Sequence, residues 1–265
     1  MERTEMEPER RPMEWRRAWV ALRALIDDPK RTDQVFEIIE ALAGQSFERS
    51  FRRFTASREG RRLLVERPSL LAALSDRAAL RALPDGSLGR AYLAFMESGD
   101  LTADGLVEAD ATAAQRSPHP PLQLDPDRQY VGDRTRDMHD LWHVLTGYGM
   151  DEAGEAANLA FTFGQIPSLG FGLIVGAAAV LGPLDLKLSW QRYLAHAWQR
   201  GWRAHNLVAA PYEDLLALPL AEVREQLGID SPEVAHPDGV VVANRDQELT
   251  RVQSPTFADQ SNAAA

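Results

Sequence analysis

The sequence predicts an all-α protein, a single multi-helix, bundle-like domain. Two observations favour this fold class. Apolar residues recur at steps of three and four along much of the 265-residue chain, as in Trp15, Trp19, Leu22 and Ile26, which is the spacing of one face of an amphipathic helix. No convincing run alternates apolar and polar residues as a strand does, except a short stretch at 239–244. A hydrophobic fraction of 45% is sufficient for one core at this length.

The first predicted helices lie near the N-terminus. Residues 14–27 form the first helix and 33–42 the second, which begins at a capping Thr32 or Asp33 and stops at Gly44. Shorter helices are then predicted over 47–55, 58–66, 68–82 and 87–97. The turn signal Pro-Asp-Gly separates the last two.

The middle of the chain contains a proline-rich stretch, 111–129, which cannot form one continuous helix and is predicted to be an irregular crossing segment. Helical spacing then resumes over 133–148, 152–165, 186–204 and 220–227. We therefore expect a helical domain over 1–230, with a loose head at 1–12. Residues 231–265 are rich in Pro, Asp, Gln and Ser and are expected to be a polar, disordered tail.

Charge and composition exclude several classes of protein. Asp and Glu number 39 against 29 Lys and Arg, so the net charge of -10 argues against a generic nucleic-acid binder, which needs basic groups to meet phosphates. The chain has no cysteine, so a metal site must use His, Asp or Glu. The first ten residues do not resemble a secretory signal, and arginine greatly outnumbers lysine. These features predict a bacterial protein that is cytoplasmic and not secreted.

Residues 156–184 carry no ionisable side chain. The densest apolar part, 169–182, is shorter than the roughly 20 residues that a helix needs to cross a bilayer. Two interpretations stay open. The stretch is either a buried core helix, or it is the wall of an apolar lipid slot or a surface that enters one leaflet. The second interpretation rests on small residues that leave room beside the helix for a long apolar chain.

Four side chains between 139 and 155 have the chemistry of metal ligands. His139 and His143 are four residues apart, so on a helix their rings lie about 40° apart around the axis and can reach one ion. Asp140 can close a third side, and a turn after residue 146 can return Glu155 to the same place. Imidazole and carboxylate ligands suit zinc, iron or manganese, and the spacing does not choose among them. The result is a predicted metal site between two helices.

The string H-D-x-x-H followed after eleven residues by Glu resembles the signature of the Coq4 family of ubiquinone-biosynthesis proteins. The likeness extends over residues 15–230. It includes a block at 83–96, the central block at 130–145 and a C-terminal part at 193–229.

The resemblance implies a helical protein that binds a divalent metal, zinc by family likeness, through His139, Asp140, His143 and Glu155. Iron is the other candidate, because zinc does not change oxidation state. It further implies action on polyprenylated hydroxybenzoate-type precursors of ubiquinone, by oxidative removal of the C1 carboxyl group. Other ubiquinone-biosynthesis proteins are expected as partners, together with peripheral contact at the inner face of the membrane and a homo-oligomer, a dimer.

Further side chains are predicted to bind the substrate. An apolar slot for the prenyl tail would be lined by Phe161, Leu169, Phe171 and Ile174. Arg134 and Arg136 precede the metal motif and are predicted to face a carboxylate or phosphate. The alternative for both arginines is a solvated helix face paired with neighbouring aspartates. Trp142 and Tyr148 are predicted to be core residues, and His236 is expected in a surface or core role.

Three functions remain open from the sequence. The first is a metal-dependent decarboxylase and hydroxylase. The second is a non-catalytic scaffold that binds prenyl lipids and organises a ubiquinone-biosynthesis complex. The third is a metal-dependent hydrolase, in which the ion activates a bound water. A hydrolase of the HD type would need a further upstream histidine, and His119 lies in the proline-rich segment.

Overall fold

The structure, a computed structural model, describes residues 12–28, 31–116, 124–182, 187–243 and 250–252. These residues form sixteen α-helices, one 3-10 turn and one two-stranded antiparallel sheet, so the predicted all-α class is confirmed. The first eight helices are α1 (Trp15–Asp27), α2 (Thr32–Ala41), α3 (Ser46–Ala56), α4 (Arg58–Glu66), α5 (Leu70–Ser75), α6 (Arg77–Arg81), α7 (Leu88–Ser98) and α8 (Gly105–Arg116). The next five are α9 (Pro126–Asp137), α10 (His139–Thr146), α11 (Glu152–Gln165), α12 (Leu169–Leu181) and α13 (Lys187–Arg203).

The C-terminal elements are short. They are the 3-10 turn Leu207–Ala209, α14 (Tyr212–Leu215), α15 (Leu220–Leu227), α16 (Pro232–Ala235), β1 (Val240–Val242) and β2 (Thr250–Val252). Residues 231–243, expected as part of a loose tail, form α16 and β1. Val240 and Val241 are buried against the helices, which provides the apolar contact that the polar composition concealed.

Local capping explains where the predicted helices divide. The helix expected over 68–82 is two helices, because the Asp76 carboxylate accepts a hydrogen bond from the Ala79 N–H and starts α6. The stretch expected to be irregular over 111–129 is partly helical. Asp125 caps α9 and Pro126 takes its first position, where proline's missing N–H costs nothing. Residues 117–123, which include His119, lie outside the described residues.

The centre of the fold is the packed pair α11 and α13. Gly164 and Gly201 lie at the crossing, where a Cβ at 164 would be 2.5 Å from the Trp198 carbonyl oxygen and a Cβ at 201 would be 2.0 Å from the Phe161 carbonyl oxygen. Glycine at both positions therefore lets the two backbones approach each other. Around this pair the main core gathers large buried side chains, which include Tyr92, Phe95, Trp142, Tyr148, Phe161 and Tyr212.

A second, smaller core joins α1, α2 and α12. Its buried members include Ala18, Leu22, Ile38, Leu42 and Ile174. The outer side of α12 stays exposed, with Val180 and Leu181 each 59% accessible. None of the described helices is long and apolar enough to cross a membrane.

Candidate metal centre

The α10–α11 hairpin is built by local geometry. Gly147 ends α10 with a positive φ of 78°, a conformation that glycine adopts without strain. Asp151 starts α11 by accepting hydrogen bonds from the N–H groups of Ala153 and Gly154. A Cβ at Gly154 would be 2.1 Å from the Gly149 carbonyl oxygen. The loop is therefore tight, and it returns the chain directly to α10.

Three predicted ligands converge at this hairpin. The Nε2 atoms of His139 and His143 are 3.2 Å apart, and Glu155 Oε2 is 3.6 Å from the first and 3.4 Å from the second. The three ligand atoms lie within 4.8 Å of one another. Such a set of two imidazoles and one carboxylate can hold a divalent ion and leave coordination positions open.

Asp140 does not join this group. It follows His139 directly, so its side chain is turned by about 100° around the helix axis. Its negative charge still acts on the site, because it contributes to raising the pKa of His143. The structure therefore brings together three of the four side chains that the sequence predicts as ligands, and Asp140 acts on them through its charge.

A hydrogen bond orients the His143 ring for metal binding. The ring of His143 is buried, and its Nδ1–H can donate to the Tyr148 carbonyl oxygen at 3.1 Å. That bond places the proton on Nδ1 and leaves the Nε2 lone pair directed at Glu155 and His139. The Phe95 ring stacks on the His143 ring, with the two ring centroids 5.4 Å apart, and so restricts rotation of the imidazole. These contacts fit a resident ion.

The charges of the group compensate one another. Burial alone would lower the pKa of His143, but the carboxylates of Glu155 and Asp140 and the Tyr148 carbonyl oxygen together outweigh it, so the pKa is raised. Burial alone would raise the pKa of Glu155, yet the two histidines hold it well below its usual range. Glu155 is therefore an anion across the physiological pH range, as a metal ligand must be.

The C-terminal segment 236–243 contacts both ends of this hairpin. The Tyr148 hydroxyl and His236 Nε2 are 3.2 Å apart and hydrogen-bonded. At the other end, the Ala243 N–H donates to Asp151 Oδ1 at 2.8 Å, and the Ala153 N–H donates to the Ala243 carbonyl oxygen at 3.3 Å. The segment thus supports the loop and the start of the helix that carry the ligands.

Similarity to known proteins shows the family of this chain. Residues 16–233 match the family model described as "Coenzyme Q (ubiquinone) biosynthesis protein Coq4". The chain belongs to the Coq4 family. It is 31% identical over 241 residues to the mitochondrial ubiquinone biosynthesis protein COQ4 of Pyricularia oryzae, an alignment that covers 90% of this chain and 75% of the relative. It is also 31% identical over 217 residues to the mitochondrial COQ4 homologue of Danio rerio, covering 80% and 74%.

A crystal structure shares the fold of this Coq4-family chain. It is that of a candidate ubiquinone biosynthesis protein from Nostoc punctiforme PCC 73102, with a TM-score of 0.59, 21% identity and coverage of 83% of this chain and 100% of that one. The curated relatives correct one expectation. A cytoplasmic location at the inner face of a bacterial membrane is wrong on this comparison, because those relatives are named mitochondrial proteins.

The two arginines predicted to bind substrate have other partners in this Coq4-family chain. Arg134 is buried, and its guanidinium donates to both Glu213 oxygens at 2.6 and 2.8 Å and to the Ala210 carbonyl oxygen. A bidentate pair of this kind consumes the groups that a substrate would need. Arg136 pairs with Asp110, Asp133 and Asp137. Pairing with the neighbouring aspartates is therefore found for Arg136, but its side chain is only 13% exposed, so the expected solvated face is wrong. Arg134 is an internal tie between α9 and α14.

The four residues predicted to line one lipid slot lie in different surroundings. Phe161 is fully buried in the main core, edge to face with Trp142 at 5.8 Å. Ile174 belongs to the smaller core, Leu169 is 47% exposed, and Phe171 is partly buried against the main core. The four residues lie close along the chain, but Phe161 belongs to α11, and α12 turns Leu169, Phe171 and Ile174 to different sides. The slot as predicted is not formed by these side chains.

Sequence reasoning missed Phe95 and His236 as supports of the site. Phe95 is 48 residues before His143, and His236 is 88 residues after Tyr148, so no local spacing connects them. The start of α11 is predictable, since Asp151 just before a helical run is a typical N-cap.

Replacing His236 with Phe will weaken the pH dependence of stability in mild acid. Burial is the largest influence lowering the pKa of His236, to about 3, and Arg200, His196 and Arg251 add to it. Tyr148 and Tyr193 are its other ring neighbours. Because the unfolded imidazole titrates near 6.5, the unfolded chain binds the extra proton between that pH and about 3, and stability falls as the pH decreases through this window.

Tm measured by circular dichroism from pH 7.5 to 4 checks this prediction. The wild-type Tm should fall more steeply than that of His236→Phe, whatever their difference at pH 7.5. His205→Phe is the matched control, because it removes a histidine from an exposed position and keeps His236. Parallel slopes for all three proteins would contradict a neutral, buried His236.

Proposed function

We propose that this chain is a metal-dependent protein of ubiquinone biosynthesis that acts on polyprenylated hydroxybenzoate-type precursors. Its membership of the Coq4 family supports the pathway. The convergence of His139, His143 and Glu155 within 4.8 Å is the observation that carries the metal dependence. The reaction that fits best is oxidative decarboxylation at C1.

The chemistry of that reaction balances with dioxygen and a two-electron donor. The bond between ring C1 and the carboxyl carbon breaks, carbon dioxide leaves, and one oxygen atom of dioxygen becomes the new ring hydroxyl. The second oxygen atom leaves as water with two electrons and two protons from the donor. His139, His143 and Glu155 would hold a divalent ion, zinc by family likeness or iron, which would supply Lewis acidity for the substrate carboxylate and, if it is iron, redox capacity.

The chain's own residues prepare the site for such a substrate. His143 is buried and held by Tyr148, so it forms the fixed inner wall. His139 and Glu155 are partly exposed and form the open side. A substrate carboxylate would approach from that side.

Peripheral membrane contact is part of this proposal. Trp15 and Trp19 on α1, Trp202 on α13 and Val180 with Leu181 on α12 are exposed apolar side chains. The packing of α1 on α2, α2 on α12 and α12 on α13 makes these helices neighbours. Aromatic side chains favour the boundary between headgroups and acyl chains. A prenylated substrate would be met there, and other ubiquinone-biosynthesis proteins and a second copy of the chain are the proposed partners.

The alternative is a non-catalytic prenyl-lipid-binding scaffold. One observation favours it: the three ligands join two helices that are consecutive in the chain, as a structural metal staple does. In that case the ion fixes the α10–α11 hairpin, and partner enzymes perform the chemistry.

Turnover separates the two functions. The purified full chain, loaded with Zn²⁺ or Fe²⁺, is given 3-geranyl-4-hydroxybenzoate in phosphatidylcholine vesicles with dioxygen and a two-electron reductant. We expect carbon dioxide and the hydroxylated ring product with metal, and neither with the Glu155→Gln variant. Probe binding without carbon dioxide release would contradict catalysis and favour the scaffold. The same follows if His139→Ala abolishes metal binding while the pathway still runs in cells.

A further inference from the structure

Two polar side chains on α11 are buried without hydrogen-bond partners. Asn158 is 0% exposed, and neither Oδ1 nor Nδ2 of its amide meets a partner among the described residues. Thr162 is 6% exposed, and its hydroxyl also has no hydrogen-bond partner among the described residues. Other buried atoms without partners belong to side chains that use their remaining groups, such as Arg134, which pairs with Glu213. Asn158 and Thr162 use none.

Both side chains continue the face of α11 that carries Glu155. At 100° per residue, Asn158 lies about 60° and Thr162 about 20° from Glu155 around the axis. With a rise of 1.5 Å per residue, the row runs inward for about 10 Å from the metal group. Gly164 meets α13 on another side of the helix. Gln165 lies about 20° from Asn158 around the axis and donates to the Gly201 carbonyl oxygen, so the row borders the contact between α11 and α13.

The buried amide of Asn158 and the buried hydroxyl of Thr162 are unfavourable for folding when they have no hydrogen-bond partner. A buried amide or hydroxyl without a partner loses its hydrogen bonds to water and gains none, so native interiors rarely keep such groups. Leucine and valine have nearly the same shapes and would avoid the loss. Polar groups that weaken a fold where apolar ones would fit are typical of ligand sites.

We propose that Asn158 and Thr162 bind the neutral oxygen substituents of the substrate ring while the metal group holds its carboxylate. The inference rests on the proposed function. An amide and a hydroxyl both donate and accept without charge, so they match a phenolic hydroxyl rather than a second anion. The partly exposed Glu155 is one helical turn from Asn158, and the ring enters along that side.

The test uses Asn158→Leu and Thr162→Val in the full chain loaded with Zn²⁺. Each variant is titrated in detergent micelles with 3-geranyl-4-hydroxybenzoate and with 3-geranylbenzoate, which lacks the ring hydroxyl. We expect Kd for the first probe to rise by about 10-fold or more, and Kd for the second to change by less than about 3-fold. If a variant no longer distinguishes the two probes, the substituted side chain recognises the ring hydroxyl. General damage to the fold would weaken the binding of both probes.

The ligand-free Tm supplies a second readout. Removing an unpaired polar group should raise the Tm of each variant by about 2–4 °C. The control Thr146→Val removes a buried hydroxyl that donates to the Trp142 carbonyl oxygen at 2.6 Å, and its Tm should fall. The inference is overturned if the variants bind both probes as the wild type does, or if their Tm falls as that of the control does. The proposed function would stand in either case. A wild-type chain that binds neither probe would overturn the proposed function as well.

Discussion

Glu155→Gln will lower the affinity of the protein for Zn²⁺ by more than about 100-fold. The carboxylate is the only anionic ligand in the group of three. Mutating a residue that merely hydrogen-bonds to a metal ligand lowers metal affinity by about 10–100-fold, so losing a ligand itself should cost more. His139→Ala should have an effect of the same order, because it removes one of two imidazoles. Competition titration with a zinc chelator measures the affinity, and elemental analysis of the purified protein measures occupancy.

Asp140→Asn is the matched control for this loss. Asp140 is adjacent to His139 in the chain but lies outside the converging group, so the substitution should lower the Zn²⁺ affinity by less than about 10-fold, through charge alone. If Asp140→Asn loses as much affinity as Glu155→Gln, the ion is held by four ligands, and the three-ligand site is wrong. Retained affinity in all three variants would remove the metal site altogether.

Arg134→Ala will destabilise the fold by about 3–5 kcal/mol, because it leaves Glu213 with no counter-charge in a mostly buried position. Arg134 also donates to the Ala210 carbonyl oxygen, so the variant loses a second tie to the segment before α14. Urea unfolding monitored by tryptophan fluorescence measures the change in the free energy of unfolding.

The double variant Arg134→Met with Glu213→Leu is the control. Removing both charges leaves no unpaired ion, so most of the lost stability should return. The single variant should also bind 3-geranyl-4-hydroxybenzoate as the wild type does, at a temperature where it is folded. A stable Arg134→Ala protein with weakened probe binding would restore the original interpretation of Arg134 as a substrate ligand.

Much of the fold is predictable because local rules determine it. Amphipathic spacing located α1, α11 and α13 within a few residues of their observed bounds, and proline and glycine marked most of the breaks. The approach of His139, His143 and Glu155 was predictable for the same reason. One helical turn and one tight loop connect them, so no distant part of the chain needs to be known.

The incorrect or missed features depend on distant contacts. Arg134 finds Glu213 across 79 residues, and nothing near Arg134 in the sequence indicates a buried partner. The aspartates beside Arg136 were visible, and its local pairing was among the alternatives. The polar composition around His236 predicts a loose tail, whereas a few buried side chains, such as Val240, determine the packing of this segment. The overall composition of a segment does not show which of its individual side chains are buried.

The metal group lies within seventeen consecutive residues, from His139 to Glu155. Closing so short a loop costs little chain entropy, so these ligands can meet before distant segments have found their places. If these ligands hold a divalent ion as proposed, that ion would bind a partly folded chain that has only the α10–α11 hairpin. Such binding reduces the difference in affinity between native and non-native states, so the ion protects the complete fold less than its affinity for the native protein alone would imply. Its principal effect would be on the order of assembly, as an early fixed point around which later helices dock.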